Sequence, residues 1–240
     1  MNKIAPFLTL FATLAFLVAP FVTDPFTGFA PERFPVPQIS PPVQPAGYAF
    51  AIWGVIYIWL GVLAVTGATL RRADTGWRAV HLPLTLSLGP GALWLWLAGV
   101  SALGATVLIF WMLAFALWAL LRAPSQDRWL LQAPVALYAG WLTAAAHVSL
   151  GVSLGGFGLV SAQTAALLAL TSATVLAGAM LWHKPQAPEY GLAVIWAFIG
   201  VLVANLGGAA IVLAATGVAI AAITALVLRG LWAGQKRAGL

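Results

Sequence analysis

Residues 130–182 read LLQAPVALYAGWLTAAAHVSLGVSLGGFGLVSAQTAALLALTSATVLAGAMLW, 53 positions without a single Asp, Glu, Lys or Arg. As one continuous helix this stretch would be about 80 Å long, whereas the hydrocarbon core of a bilayer is only about 30 Å thick. It must cross twice and turn back, and the small residues of Gly155–Gly158 (GGFG) mark the turn. Two other uncharged stretches are also too long for one crossing: Leu82–Leu121, with 40 residues, and Tyr190–Leu228, with 39. Their turns fall at GVSALG (Gly99–Gly104) and NLGG (Asn205–Gly208). Ile4–Val22 and Tyr48–Leu70 each fit a single crossing. The ruler predicts an all-α, polytopic transmembrane helical bundle of eight spans, near 4–22, 48–70, 82–99, 103–121, 130–154, 159–182, 190–206 and 209–228.

Composition agrees. The chain is 62% hydrophobic and 7% charged, whereas soluble domains carry about 25% charged residues. Too few ionic groups remain to coat a water-soluble globule, and the 12% aromatic content excludes a disordered chain. With 11 basic residues in 240, a nucleic-acid binder is not expected either. The absence of cysteine removes thiol chemistry, disulfides and thiolate metal sites.

The basic residues orient the spans. Lys3, Arg71, Arg72, Arg78, Arg122, Arg128, Lys184, Arg229, Lys236 and Arg237 fall on one side of the eight-span arrangement, and only Arg33 on the other. Ten of the 11 on one face predict that both termini are cytoplasmic. Lys3 followed by an apolar run could also open a signal peptide, but no small-x-small pair stands near Ala19. No predicted span contains an acidic or strongly basic residue, which counts against an ion-coupled pump or a carboxylate proton relay. Neither paired carboxylates nor a catalytic triad can be assembled, so no catalytic residue is expected. No metal site is expected: His81 and His183 flank spans, and His147 stands alone in the fifth.

Of the twelve tryptophans, about half fit an interfacial belt. Trp53, Trp59, Trp111, Trp141 and Trp196 lie deeper and need a packing or ligand reason. In span 2, Phe50, Trp53 and Tyr57 recur at i, i+3 and i+7 on one helical face, with Trp59 directed away. Pro134, Tyr138 and Trp141 share a face in span 5. Such stripes serve helix packing or the gripping of a flat apolar ligand, with Tyr hydroxyls for its polar edge. Gly151-x-x-x-Gly155 offers a close-packing surface.

Three elements together resemble a known family. Pro41-Pro42 leading into Trp53-x-x-x-Tyr57 resembles the second helix of the TspO/MBR tryptophan-rich sensory (translocator-protein-like) family. Leu93-Trp94 followed by LAGVSALGATVLIFWMLAFALWALL is similar to its third and fourth helices, and Tyr138-Ala-Gly-Trp141-Leu-Thr143 to its fifth. PAGYAFAIWGVIYIWL is similar to the longer bacterial members. The resemblance implies a TspO-like five-helix transmembrane core over residues 1–154. Residues 155–240 add three transmembrane helices and a short basic cytoplasmic tail.

It further implies a bacterial inner-membrane protein that binds a hydrophobic planar ligand, chiefly a tetrapyrrole such as a porphyrin or haem. No obligatory cofactor is expected beyond such a bound porphyrin or haem. The ligand site carries over to Phe50, Trp53, Tyr57, Trp94, Tyr138 and Trp141. Enzymatic activity is not expected, although some relatives break down bound porphyrin in light. Expected partners are the small-molecule ligand and membrane lipid, with a homodimer or a larger membrane complex also open, and no nucleic acid. Two other functions stay open: a transporter of a hydrophobic metabolite or tetrapyrrole intermediate, and an accessory subunit of, for example, a pigment-protein complex. His147 is the one candidate metal ligand, but six residues beyond Trp141 it is turned by about 240° around an ideal helix, so a packing role is favoured. The first loop lacks the family's Trp-Tyr and Lys-Pro-x-Trp elements, and the weak sterol motif is absent. Neither a lid over the pocket nor sterol binding is therefore expected.

Overall fold

The computed structural model describes residues 4–237, with side chains described as far as Gln235. Lys3 and the side chains of Lys236 and Arg237, used above for orientation, lie outside the described residues. The described residues form helices joined by turns and one longer loop between α1 and α2, without strands. The helices are α1 (Ala5–Val22), α2 (Ile52–Ala68), α3 (Thr75–Gly91), α4 (Trp94–Val100), α5 (Ala102–Arg122), α6 (Ala133–Gly156), α7 (Ala162–His183), α8 (Pro188–Ala204) and α9 (Ala210–Arg237). A 3-10 turn, Gly47–Ala51, leads into α2, and a π-helical turn, Arg128–Gln132, leads into α6.

Counting α3 and α4 as one crossing, seven helical segments are long and apolar enough to span a membrane, and α8, with 17 residues, is a shorter apolar eighth. The chain is thus a polytopic helical bundle. The third span starts earlier than hydropathy indicates. Asp74 caps α3, its Oδ1 accepting the Gly76 and Trp77 backbone N–H groups at 2.8 and 3.3 Å, so the helix begins at Thr75 and not at Leu82. Its first turns carry Arg78 and His81, which an uncharged-stretch ruler leaves out. The same span is broken after Pro90, at Ala92–Leu93, before α4 resumes.

α6 lies at the centre. Most of its side chains are buried, and it packs against α2, α5, α7 and α8. Lipid tails are as apolar as leucine, so packing here depends on close approach and hydrogen bonds more than on exclusion of water. Gly140 lets the α8 backbone close in: a Cβ there would stand within 2.9 Å of the Tyr190 carbonyl carbon. Tyr190 completes the contact with its hydroxyl 2.8 Å from Thr143 Oγ1. Gly151 and Gly155 do the same for α7, with hypothetical Cβ atoms 3.0 Å from the Ala169 Cβ and 3.4 Å from the Ala162 Cα. α1 and α3 are tied by Thr9, whose hydroxyl meets His81 Nδ1 at 3.1 Å and Thr85 Oγ1 at 2.9 Å.

At the basic end, polar contacts fasten the turns. Arg71 donates to both Asp127 oxygens at 2.7 and 3.2 Å, and the buried Trp77 indole N–H donates to Asp127 Oδ2 at 2.8 Å. The Arg71 and Trp77 bonds hold the Asp127 carboxyl below the usual carboxylate range. Arg128, in the π-helical turn before α6, pairs with Glu189 in the first turn of α8. Lys184 Nζ donates to the Ala123 carbonyl at 2.7 Å, and the Arg229 guanidinium lies 3.6 Å from the Trp182 ring centroid.

Candidate functional site

At the end opposite the basic turns, the helices diverge around a cavity of about 230 Å³. Its wall draws Phe16 and Pro20 from α1, Trp53 and Tyr57 from α2, Gly91 from the end of α3, Trp94 from α4, Ile109 and Met112 from α5, Trp141, Ala145, Val148 and Val152 from α6 and Ala197 from α8. Proline placement explains the opening. Pro20 sits in the last turn of α1 and Pro90 just before the α3–α4 break, so both helices are interrupted beside the space.

The aromatic wall is ordered edge to face. Trp53 and Tyr57 stack at 5.3 Å between centroids with an interplanar angle of 21°. Phe16 meets Trp53, Tyr57 and Tyr138 edge-on at 5.8, 5.6 and 5.9 Å. Trp141 meets Phe50 at 5.9 Å and Trp53 at 6.0 Å, again edge-on. The Trp141 indole N–H is buried without a hydrogen-bond partner. Trp94 is fixed by donating its indole N–H to the Ala105 carbonyl at 2.9 Å.

Five of the six sequence-predicted site residues, Phe50, Trp53, Tyr57, Trp94 and Trp141, line this cavity. Tyr138 does not: it is fully buried one turn below Trp141, its hydroxyl 2.9 Å from Ser87 Oγ, which in turn donates to the Met112 carbonyl at 2.7 Å. It braces α3, α5 and α6 beneath the wall. His147 also lies outside the lining, buried edge-on against Phe110 at 5.4 Å, with its Nδ1 2.7 Å from the Thr143 carbonyl. His147 is therefore packed between helices and not part of the cavity wall. The other three deep tryptophans each donate to a backbone carbonyl: Trp59 to Trp129, Trp111 to Leu86 and Trp196 to Ala49.

The loop after α1 also contributes to the cavity wall, through Asp24, Pro25, Phe26, Gly28 and Phe29. The segment 24–29 covers the mouth. Phe26 lies 4.8 Å from Trp94 and 6.4 Å from Phe50, and Phe29 lies 5.4 Å from Phe26. Gly28 adopts φ +135°, a conformation that other residues rarely hold, and Gln44 Nε2 donates to the Thr27 carbonyl at 3.1 Å beside it. The aromatic residues of this segment are the two phenylalanines of TDPFTGF. These, with Phe16 and Ala197, escape a search for stripes on one helix. Two Phe residues set among the polar and turn residues of TDPFTGF are the signal that could have found them.

A family model described as TSPO-like protein matches residues 9–229, nearly the whole chain and through α8 into α9. No curated protein and no solved structure matches.

Proposed function

Since the chain belongs to the TSPO-like protein family, we propose that it is a non-enzymatic membrane receptor for a flat hydrophobic ligand, with a tetrapyrrole as the best-fitting class. The observation that carries this reading is the aromatic enclosure of one cavity by Phe16, Phe26, Phe50, Trp53, Tyr57, Trp94 and Trp141. Edge-to-face rings leave flat apolar walls, and the unpartnered Trp141 N–H beside them supports a ligand that brings an acceptor. At about 230 Å³ the cavity is smaller than the roughly 300–1,000 Å³ that usually encloses a drug-sized molecule. A macrocycle therefore enters as the lid of Phe26 and Phe29 lifts. Bound porphyrin would supply light absorption, and the oxidisable indoles of Trp53 and Trp141 would be its nearest reaction partners if light-dependent breakdown occurs. The lining comes from one end of the helices, which supports retention of a ligand over passage across the bilayer. We place the protein in a bacterial inner membrane with both termini cytoplasmic, which sets the lid on the outer side.

Titration of the purified full-length chain with protoporphyrin IX, followed by tryptophan fluorescence, tests the site. Saturable quenching with a micromolar Kd is expected, weakened at least about tenfold in Trp53→Ala and in the milder Trp141→Phe. Unchanged affinity in both variants would remove the cavity from consideration.

A further inference from the structure

The basic end of the bundle carries more positive charge than its own acids take up. Seven Lys and Arg with described side chains stand there against three acids, and the two ion pairs among the described residues, Arg71–Asp127 and Arg128–Glu189, leave the other cations without a carboxylate. Three of these, Arg122, Lys184 and Arg229, gather about one turn, the link between α7 and α8. We propose that this turn is a headgroup site for an anionic phospholipid, whose phosphate is held among Arg122, Lys184 and Arg229. The site lies at the opposite end of the helices from the cavity and does not depend on what fills it.

Lys184 follows α7 and reaches across to the end of α5, where its Nζ donates to the Ala123 carbonyl at 2.7 Å, beside Arg122. That bond uses one of the three ammonium donors. The side chain is partly buried, which holds the ammonium below its usual pKa range. A desolvated charge without a carboxylate gains from an anion brought to it. From the other side α9 packs on the turn itself: a Cβ at Gly230 would stand 2.5 Å from the Pro185 carbonyl oxygen. This approach sets the Arg229 guanidinium over the Trp182 ring, 3.6 Å from its centroid. Stacking covers one guanidinium face and leaves the N–H edge, the fork that matches two phosphate oxygens. Arg122 is drawn back over the Trp118 ring in the same way, at 5.8 Å.

Depth favours a lipid over an anion from solution. Trp182 and Trp232 are exposed on the same rim, and indole rings settle at headgroup level. Cations laid back on such rings sit where the phosphates of a leaflet sit, with their stems along the apolar surface. A zwitterionic headgroup brings its own ammonium into the patch, where it meets like charge, whereas phosphatidylglycerol brings none. Each Lys or Arg near an anionic leaflet is worth about fivefold in affinity.

The test offers full-length protein equimolar dioleoyl phosphatidylglycerol and dioleoyl phosphatidylcholine in mixed micelles, and reads the retained lipid by mass spectrometry of the intact complex. Phosphatidylglycerol is expected to be retained at least about fivefold over phosphatidylcholine. Arg229→Gln and Lys184→Gln should each lower that ratio about threefold or more, and Arg229→Lys, which keeps the charge and loses the fork, should fall between. Arg72→Gln is the control, since Arg72 stacks on Phe7 of α1, away from this turn, and the ratio should stay as in the unaltered chain. An unchanged thermal midpoint identifies the variants that fold; should Lys184→Gln fail to, the exposed Arg229 carries the test. Equal retention of the two lipids overturns the proposal. So does a loss in Arg72→Gln as large as in Arg229→Gln, which would spread the effect over the whole basic rim. Inorganic phosphate that displaces the lipid at constant ionic strength would make this a soluble-anion site and overturn the lipid assignment.

Discussion

Gly140 shows how much can rest on a missing methyl group. The Tyr190 carbonyl of α8 occupies the space where its Cβ would stand, and backbone cannot swing aside as a flexible side chain can. Gly140→Ala is therefore expected to cost about 3 kcal/mol, the upper range for overpacking, read as a lowered thermal midpoint in detergent. Gly54→Ala is the control: no atom lies within 4 Å of a Cβ there, so the change should stay within about 0.5 kcal/mol. Side-chain roles were only partly legible in the sequence. The 3.6-residue period put Phe50, Trp53 and Tyr57 on one face, and they share one wall. Tyr138 and Trp141 also looked co-facial, but an offset of about 60° on an ideal helix is enough to send one hydroxyl to Ser87 and the other ring to the cavity. Trp59, Trp111 and Trp196 were recognised as needing a reason. That each caps a backbone carbonyl depends on a neighbouring segment, which no local pattern reveals.

The turn between α5 and α6 gathers Arg71 and Trp77 onto Asp127, and so clamps the α2–α3 turn and the start of α3 through one carboxylate. Because that carboxyl is held below its usual range, the clamp is at full strength above about pH 4, the ordinary carboxylate value. It is lost as pH falls through the lowered one. A lower thermal midpoint at pH 3 than at pH 7 is expected, with a smaller difference in Asp127→Asn. The Arg71 pairing is partly exposed and screened by solvent, so it is the weaker part of the clamp. Asp127→Ala additionally strips the buried Trp77 N–H of its acceptor and should cost about 1–3 kcal/mol. Asp127→Asn keeps an acceptor and should cost less. Element boundaries were hidden for a related reason. Asp74 caps α3, and Arg78 and His81 lie inside it, so a ruler built on uncharged runs starts the helix seven residues late. The lid was hidden because its Phe residues belong to a loop, where no period exists to expose them.

Across the bundle, one cavity needs both ends of the sequence. α8 contributes Ala197 to the wall, and it also pins the segment leading into α2: Trp196 Nε1 donates to the Ala49 carbonyl at 2.8 Å, Ala46 N–H to the Gly200 carbonyl at 3.0 Å, and Asn205 Nδ2 to the Pro42 carbonyl at 2.7 Å. The number of spans was legible because it follows from chain length and charge scarcity alone. This cross-bracing was not, since it joins residues about 150 positions apart. The orientation read from the basic residues can be tested directly, because a chain without cysteine accepts single reporters with no background. Ile39→Cys, at a site 83% exposed on the lid side, should react with an impermeant maleimide in intact spheroplasts. Gln126→Cys, on the α5–α6 turn, should react only after permeabilisation, and the reverse pattern would invert the assignment. The closed lid has a last consequence, and it concerns time. A cavity that holds about 230 Å³ while Phe26 rests on Trp94 admits a larger guest only during openings. Entry and exit would then share one gate: the opening rate of the Gly28 segment would set how fast a ligand exchanges, below the diffusion limit, and not how fully the site is filled at equilibrium.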